Sequence, residues 1–137
     1  MAKIRHIAYR AEDVEAMAKF FVDAFEMHVV QRRGTGVVDL SDGTINITLL
    51  PMSLAVARGQ VAHPGIEHIG FTVVDDDEGR RRAVAAGARE MNTVNLGSEV
   101  HFEVKFQGPE GIVVDVGHWA GTAPVDSEVP VGSSAAR

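Results

Sequence analysis

The chain of 137 residues contains no cysteine, which excludes a disulfide scaffold, a thiolate nucleophile, thiolate zinc sites and cysteine-ligated iron–sulfur clusters. Any metal site has to be built from histidine and carboxylate. Long apolar runs are missing too: none approaches the ~18 residues of a membrane span, and the opening Met-Ala-Lys-Ile-Arg-His lacks the apolar stretch of a signal peptide. The expectation is a soluble, cytoplasmic protein with no membrane partner. Basic residues are the minority, 13 against 19 acids for a formal net charge of −6, so there is no general electrostatic footprint for nucleic acid. What is present is a globular composition, 45% hydrophobic and 23% charged, which is enough to bury a core. At ~100–200 residues per domain, the length predicts one domain.

That domain contains an internal repeat. Ile4-Arg5-His6-Ile7-Ala8-Tyr9 matches Ile66-Glu67-His68-Ile69-Gly70-Phe71 as Ile-x-His-Ile-small-aromatic, with an Asp four residues further on in each copy, at Asp13 and Asp75. A helix signal follows each copy, and then alternating apolar residues interrupted by glycine. The chain therefore reads as an α+β protein of two βαβββ modules, at about residues 3–52 and 65–119 of a domain covering 1–120. Residues 121–137 lack periodicity and are expected to form a flexible tail.

The first helix is signalled by Val14, Met17, Ala18, Phe21 and Phe25 at helical spacing, with Asp13 as N-cap. The second runs from Asp75-Asp76-Asp77 to Gly87, and Ala83, Val84 and Ala86 give it a thin apolar face. Strands are predicted at Ile4–Arg10, Val37–Leu40, Thr44–Leu50, His68–Val74, Val100–Phe106 and Ile112–Val116. Asp42-Gly43 and Gly108-Pro109-Glu110-Gly111 supply the turns of two hairpins. The segment from Met52 to Gly65 reads as a linker. Arg80-Arg81-Arg82 reads as a solvated helix face, and His28, His63 and His118 as loop residues. Tyr9 and Trp119 read as packing residues able to line a pocket.

Strand parity then sorts the polar residues, because side chains alternate between the two faces of a sheet. Ile69, Phe71 and Val73 share one face and His68 the other. Val114 and Val116 oppose Asp115, Ile47 and Leu49 oppose Asn46 and Thr48, and Phe102, Val104 and Phe106 oppose His101, Glu103 and Lys105. One face is apolar. The other carries His6, Asn46, Thr48, His68, His101, Glu103 and Asp115.

In these features the chain resembles the vicinal oxygen chelate superfamily, which includes glyoxalase I, methylmalonyl-CoA epimerase, extradiol dioxygenases and bleomycin- and fosfomycin-resistance proteins. The resemblance spans roughly residues 3–119. It rests on the two Ile-x-His-Ile segments, Phe20-Phe21-x-x-x-Phe25-Glu26-Met27, Gly87-Ala88, and Gly108-Pro109-Glu110-Gly111 followed by Asp115. It implies a mixed sheet curled into a cup, helices on its outer face, and a divalent metal held on the concave face by His6, His68 and Asp115. It also implies pairing into a homodimer and a small-molecule substrate with two adjacent oxygens.

The chain departs from the family at the fourth ligand. The segment Thr44–Pro51 has no carboxylate where glyoxalase- and epimerase-like members keep a Glu or Gln, and Thr48 and Asn46 are the nearest equivalents. Two imidazoles and one carboxylate match the facial triad of non-haem Fe(II) oxygenases, so a dioxygenase-like reaction is expected first. A glyoxalase- or epimerase-like reaction is the alternative, and a metal-free binding protein of the bleomycin-resistance type is the rival from another class. Fe(II), Mn, Zn, Ni and Co all suit such ligands. Glu103 is a candidate fourth ligand or base. Glu103 and His101 are the candidate catalytic residues beside the metal.

Overall fold

The computed structural model describes residues 1–57, 59–95 and 100–119, with the side chains at 57, 92–95, 100–102, 118 and 119 outside the described set. The order of elements is β1 (Lys3–Ala11), α1 (Val14–Phe25), β2 (His28–Arg32), β3 (Val38–Ser41), β4 (Asn46–Pro51), α2 (Met52–Ala57), β5 (Gly65–Thr72), α3 (Asp76–Ala85), β6 (Arg89–Asn95), β7 (Val100–Gln107) and β8 (Val113–Trp119). Two βαβββ modules with a short helix between them are therefore observed, as the repeat predicts. The described chain divides into two compact units, residues 6–67 and residues 1–5 with 68–119.

In the first unit the strand order is β2-β3-β4-β1, with β1 parallel to β4 and the other neighbours antiparallel. The helix α1 starts where Asp13 accepts a hydrogen bond from the Ala16 N–H at 2.9 Å, as expected of its N-cap. Its apolar stripe packs Val14, Met17, Ala18, Phe21 and Val22 with Tyr9, Met27, Val29, Val38, Leu40, Ile47 and Leu49. The opposite face of the same strands holds His6, Asn46, Thr48 and Asp39, and towards its end Ala8, Val37 and Leu50, which pack with Leu54 of α2. The predicted linker thus contains a helix that covers part of the second face.

The second unit repeats the pattern as β5-β8-β7-β6, with β5 parallel to β8. Asp75 caps α3 by accepting from the Glu78 N–H at 2.9 Å, and Gly87 follows the helix at φ +97°. Of the apolar face expected of α3, Ala83 packs with Val104, Phe106, Val114 and Val116, joined by Val73 before the helix and Ala88 after it, whereas Val84 and Ala86 are exposed. Gly79 lets the helix approach: a Cβ there would lie 3.0 Å from methyl groups of Val73 and Val116. Arg80, Arg81 and Arg82 pair with Glu78 and Glu90 at the surface, in keeping with a solvated helix face.

Both predicted hairpins form. In the first, Asp42 accepts from the Thr44 and Ile45 N–H groups. In the second, a short 3₁₀ turn over Pro109–Gly111 joins β7 to β8. Strand parity is as expected among the described side chains, so Asp115 points away from Val114 and Val116; His101 and Phe102 lie outside them. Two strands, β2 and β6, were not predicted individually, and His28, expected in a loop, is the first residue of β2. His118 likewise falls on the backbone of β8 and not in a loop.

Candidate metal centre

Three of the predicted site residues meet in the second unit. His68 on β5, Asp115 on β8 and Glu103 on β7 are 8%, 1% and 7% exposed, and each offers a ligand atom within 4.8 Å of the others. Register explains the meeting. Gly70 pairs with Asp115 across the parallel β5–β8 seam, which puts His68 and Asp115 on one face two residues apart along the strands. On the other side of β8, Lys105 faces Asp115 and Glu103 faces Gly117.

The Asp115 carboxylate is held from two sides. His68 Nε2 is 3.0 Å from Oδ2, and Lys105 Nζ donates to Oδ1 at 2.6 Å. Glu103 lies beside this pair with its carboxyl pushed up to about 8 from 4.5, mainly by burial, then by the charge of Asp115 and a hydrogen bond shared with it. Lys105 and His68 pull in the opposite direction and are outweighed. Two neighbouring buried carboxyls cannot both ionise cheaply, so the metal-free cluster keeps a proton. An imidazole and two carboxylates converging within ligand distance form a donor set that suits Zn, Mn, Fe, Co or Ni.

His6 lies in the other unit, on β1, 5% exposed and directly across from Asn46. Asn46 is 2% exposed, and its Oδ1 has no hydrogen-bond partner among the described residues. Thr48 is differently employed, since its hydroxyl donates to Asp39 Oδ1 at 2.8 Å. Of the two residues standing where a fourth ligand was expected, Asn46 is therefore the one with acceptor capacity to spare. His101 lies on the backbone of β7, and its side chain is outside the described residues.

Sequence reading missed Asp39 and Lys105 as polar groups of consequence. Asp39, 3% exposed, also accepts from Arg33 Nε at 2.9 Å. The alternation Val38-Asp39-Leu40 placed it on the polar face, and a buried carboxylate there needs partners. Lys105 shares parity with Glu103, but nothing in the sequence showed that the hairpin register would set it against Asp115.

A paired βαβββ architecture with a buried histidine–carboxylate cluster on the face away from the helices defines a class of metal-site scaffold. The chain belongs to the Glyoxalase/Bleomycin resistance protein/Dioxygenase superfamily, whose family model matches residues 3–116. Among solved structures it is similar to a hypothetical protein of Bacillus halodurans, with a TM-score of 0.69 at 18% identity over 89% of this chain and 97% of that one. Methylmalonyl-CoA epimerase from Mycobacterium tuberculosis gives 0.64 at 18% identity, over 86% and 88%. The 2,3-dioxygenase LapB from a Pseudomonas species gives 0.68 at 18% identity over 93% of this chain, which spans 44% of that larger one. No curated protein matches the chain.

Proposed function

We propose that the protein is a metal-dependent enzyme that moves a proton next to an oxygen function of a small substrate carrying two adjacent oxygens, with Glu103 as acid–base group. The metal ligands in this reading are His6, His68 and Asp115. His6 is included because it occupies in the first repeat the position that His68 occupies in the second. The observation that carries the reading is the buried trio His68, Asp115 and Glu103, whose ligand atoms lie within 4.8 Å of one another. A general acid–base group has to lie within reach of the substrate's proton, and Glu103 is the carboxyl beside the ligands, whereas the segment Thr44–Pro51 of the first module offers none. A bound divalent metal supplies Lewis-acid polarisation of the substrate oxygens. Burial of the trio keeps bulk water from screening charge that develops on the substrate.

A second reading, ring-cleaving dioxygenase chemistry, is favoured by the two-histidine, one-carboxylate ligand set when Fe(II) is the metal. In it Glu103 and His101 serve the substrate's hydroxyl protons. Pairing of two copies is part of either reading and is supported by the exposed Phe20 and Phe25 side chains of α1.

The test begins with metal content. Protein purified without a polyhistidine tag is expected to bind close to one equivalent, and His68→Ala to lose it; uptake below about a tenth of an equivalent, unchanged by that substitution, favours a metal-free binding protein. With metal bound, solvent-deuterium exchange into a panel of 2-oxo acids, 1,2-dicarbonyl adducts and thioesters is expected in the wild type and absent in Glu103→Gln. Ring cleavage of a catechol panel after anaerobic Fe(II) reconstitution, with no exchange on the first panel, selects the dioxygenase reading.

A further inference from the structure

The geometry points to Lys105 as a resident counter-cation of the centre, one that competes with a divalent metal for Asp115 and so sets how tightly the protein binds its metal. This rests on the metal-site reading above and adds a residue to it that donates no ligand atom.

Asp115 is the most deeply buried carboxylate of the cluster, 1% exposed, and a bare carboxylate in that position would be costly. The Lys105 ammonium, on a side chain 13% exposed, meets that cost by donating to Oδ1 at 2.6 Å while His68 approaches Oδ2 at 3.0 Å. The antiparallel register sets Lys105 opposite Asp115, within reach of its carboxylate. A metal using Asp115 as ligand has to share the carboxylate's charge with the ammonium, through Oδ2 on the His68 side, or displace it from Oδ1. On Oδ1 it must break a charge-assisted hydrogen bond, and on either oxygen it must sit near a fixed positive charge.

The first module shows what the same place looks like without this device. Ala8 and Gly70 are equivalent in the repeat, so Thr48, which pairs with Ala8, is the counterpart of Asp115. The residue facing Thr48 is Asp39 where Lys105 faces Asp115. A lysine at this position is therefore not demanded by the architecture of the module. It is matched to the carboxylate across from it.

Mn(II) and Zn(II) binding to the full-length protein, measured by competition with a chromophoric chelator, tests the inference. Lys105→Met and Lys105→Gln, the latter keeping a neutral donor for Asp115, are expected to bind about ten- to a hundred-fold more tightly than wild type, the scale of one charge-assisted hydrogen bond. Lys105→Arg, which keeps the cation, is expected to stay within a few-fold of wild type. In the absence of metal, Lys105→Met should melt below wild type and gain more on metal addition. Wild-type binding that is lost in His68→Ala but unchanged or weakened in both neutral variants overturns the role of Lys105 and leaves the metal centre standing. No binding by wild type or any variant overturns both.

Discussion

The two modules are built alike and charged differently. Each has four strands in the same relative order, a capped helix over one face and a histidine at the same point of its first strand. At the equivalent point of the last two strands, the first module has an acid on the third strand and a hydroxyl on the fourth, Asp39 and Thr48. The second has a base on the third and an acid on the fourth, Lys105 and Asp115. Asp39 is tied up by Arg33 and Thr48 in a neutralised network with no second acid among the described residues. Asp115 is crowded by a second carboxyl that cannot ionise freely beside it. One duplicated scaffold thus holds a neutralised acid at this point in one copy and a crowded pair of acids in the other.

The sharpest way to test this contrast is to remove each acid in turn. Asp115→Ala should cost about 3–5 kcal/mol in urea unfolding, because it strands the Lys105 ammonium in a part-buried place, and should abolish metal uptake. Asp39→Asn should cost less, about 1–2 kcal/mol, because Arg33 reaches solvent and the amide still accepts from Thr48, and metal uptake should persist. Equal losses of metal binding in the two variants would remove the distinction.

The pH dependence of the metal-free protein comes next in size. The Glu103 carboxyl ionises near 4.5 in the unfolded chain and near 8 in the folded one. Between those values the folded protein holds the extra proton, so this contribution to stability is complete below about pH 4.5 and is lost as pH rises through about 8. Melting temperatures should therefore fall across that window in wild type, and the slope should flatten in Glu103→Gln. A flat wild-type profile would mean that Glu103 is ionised within the cluster.

The smallest effect concerns the helix ends. α1 stops on Glu26 in the left-handed region at φ +56°, whereas α3 is followed there by Gly87 at φ +97°. A side chain pays a steric penalty in that conformation which glycine avoids. Glu26→Gly should stabilise the chain by about 0.5 kcal/mol in urea unfolding, bringing the first module's cap into line with the second's.

Much of this was legible in the sequence because the signals were periodic. The repeat predicted the duplicated module, the α1 stripe predicted its buried face except at Phe25, which is 62% exposed at the helix end, and parity put His68, Glu103 and Asp115 on one side of their strands. What escaped was either short or set by pairing. β2 has five residues and a register shift next to Val30, and β6 is a polar run; both are end strands in the strand order, where alternation is weakly enforced. α2 has six residues, and its signal is little more than Leu54 and Ala55. Lys105 needed the hairpin register, which depends on a four-residue turn with Glu110 and Gly111 at positive φ. Parity tells which face a residue occupies, and only register tells which residue it meets.

Arg10 bears on the connection between β4 and β5. Its buried guanidinium donates to the Pro51 carbonyl at 3.0 Å and pairs with Glu67, so one side chain grips both ends of the intervening chain. A loop tied at its neck can change length with little consequence for what lies outside the knot, because closure entropy grows only with the logarithm of loop length. The stretch around Gly59, beyond α2 and before Pro64, is accordingly the natural seam of the molecule. A tag or a protease site can be placed there, with Arg10 holding the two ends of the connection.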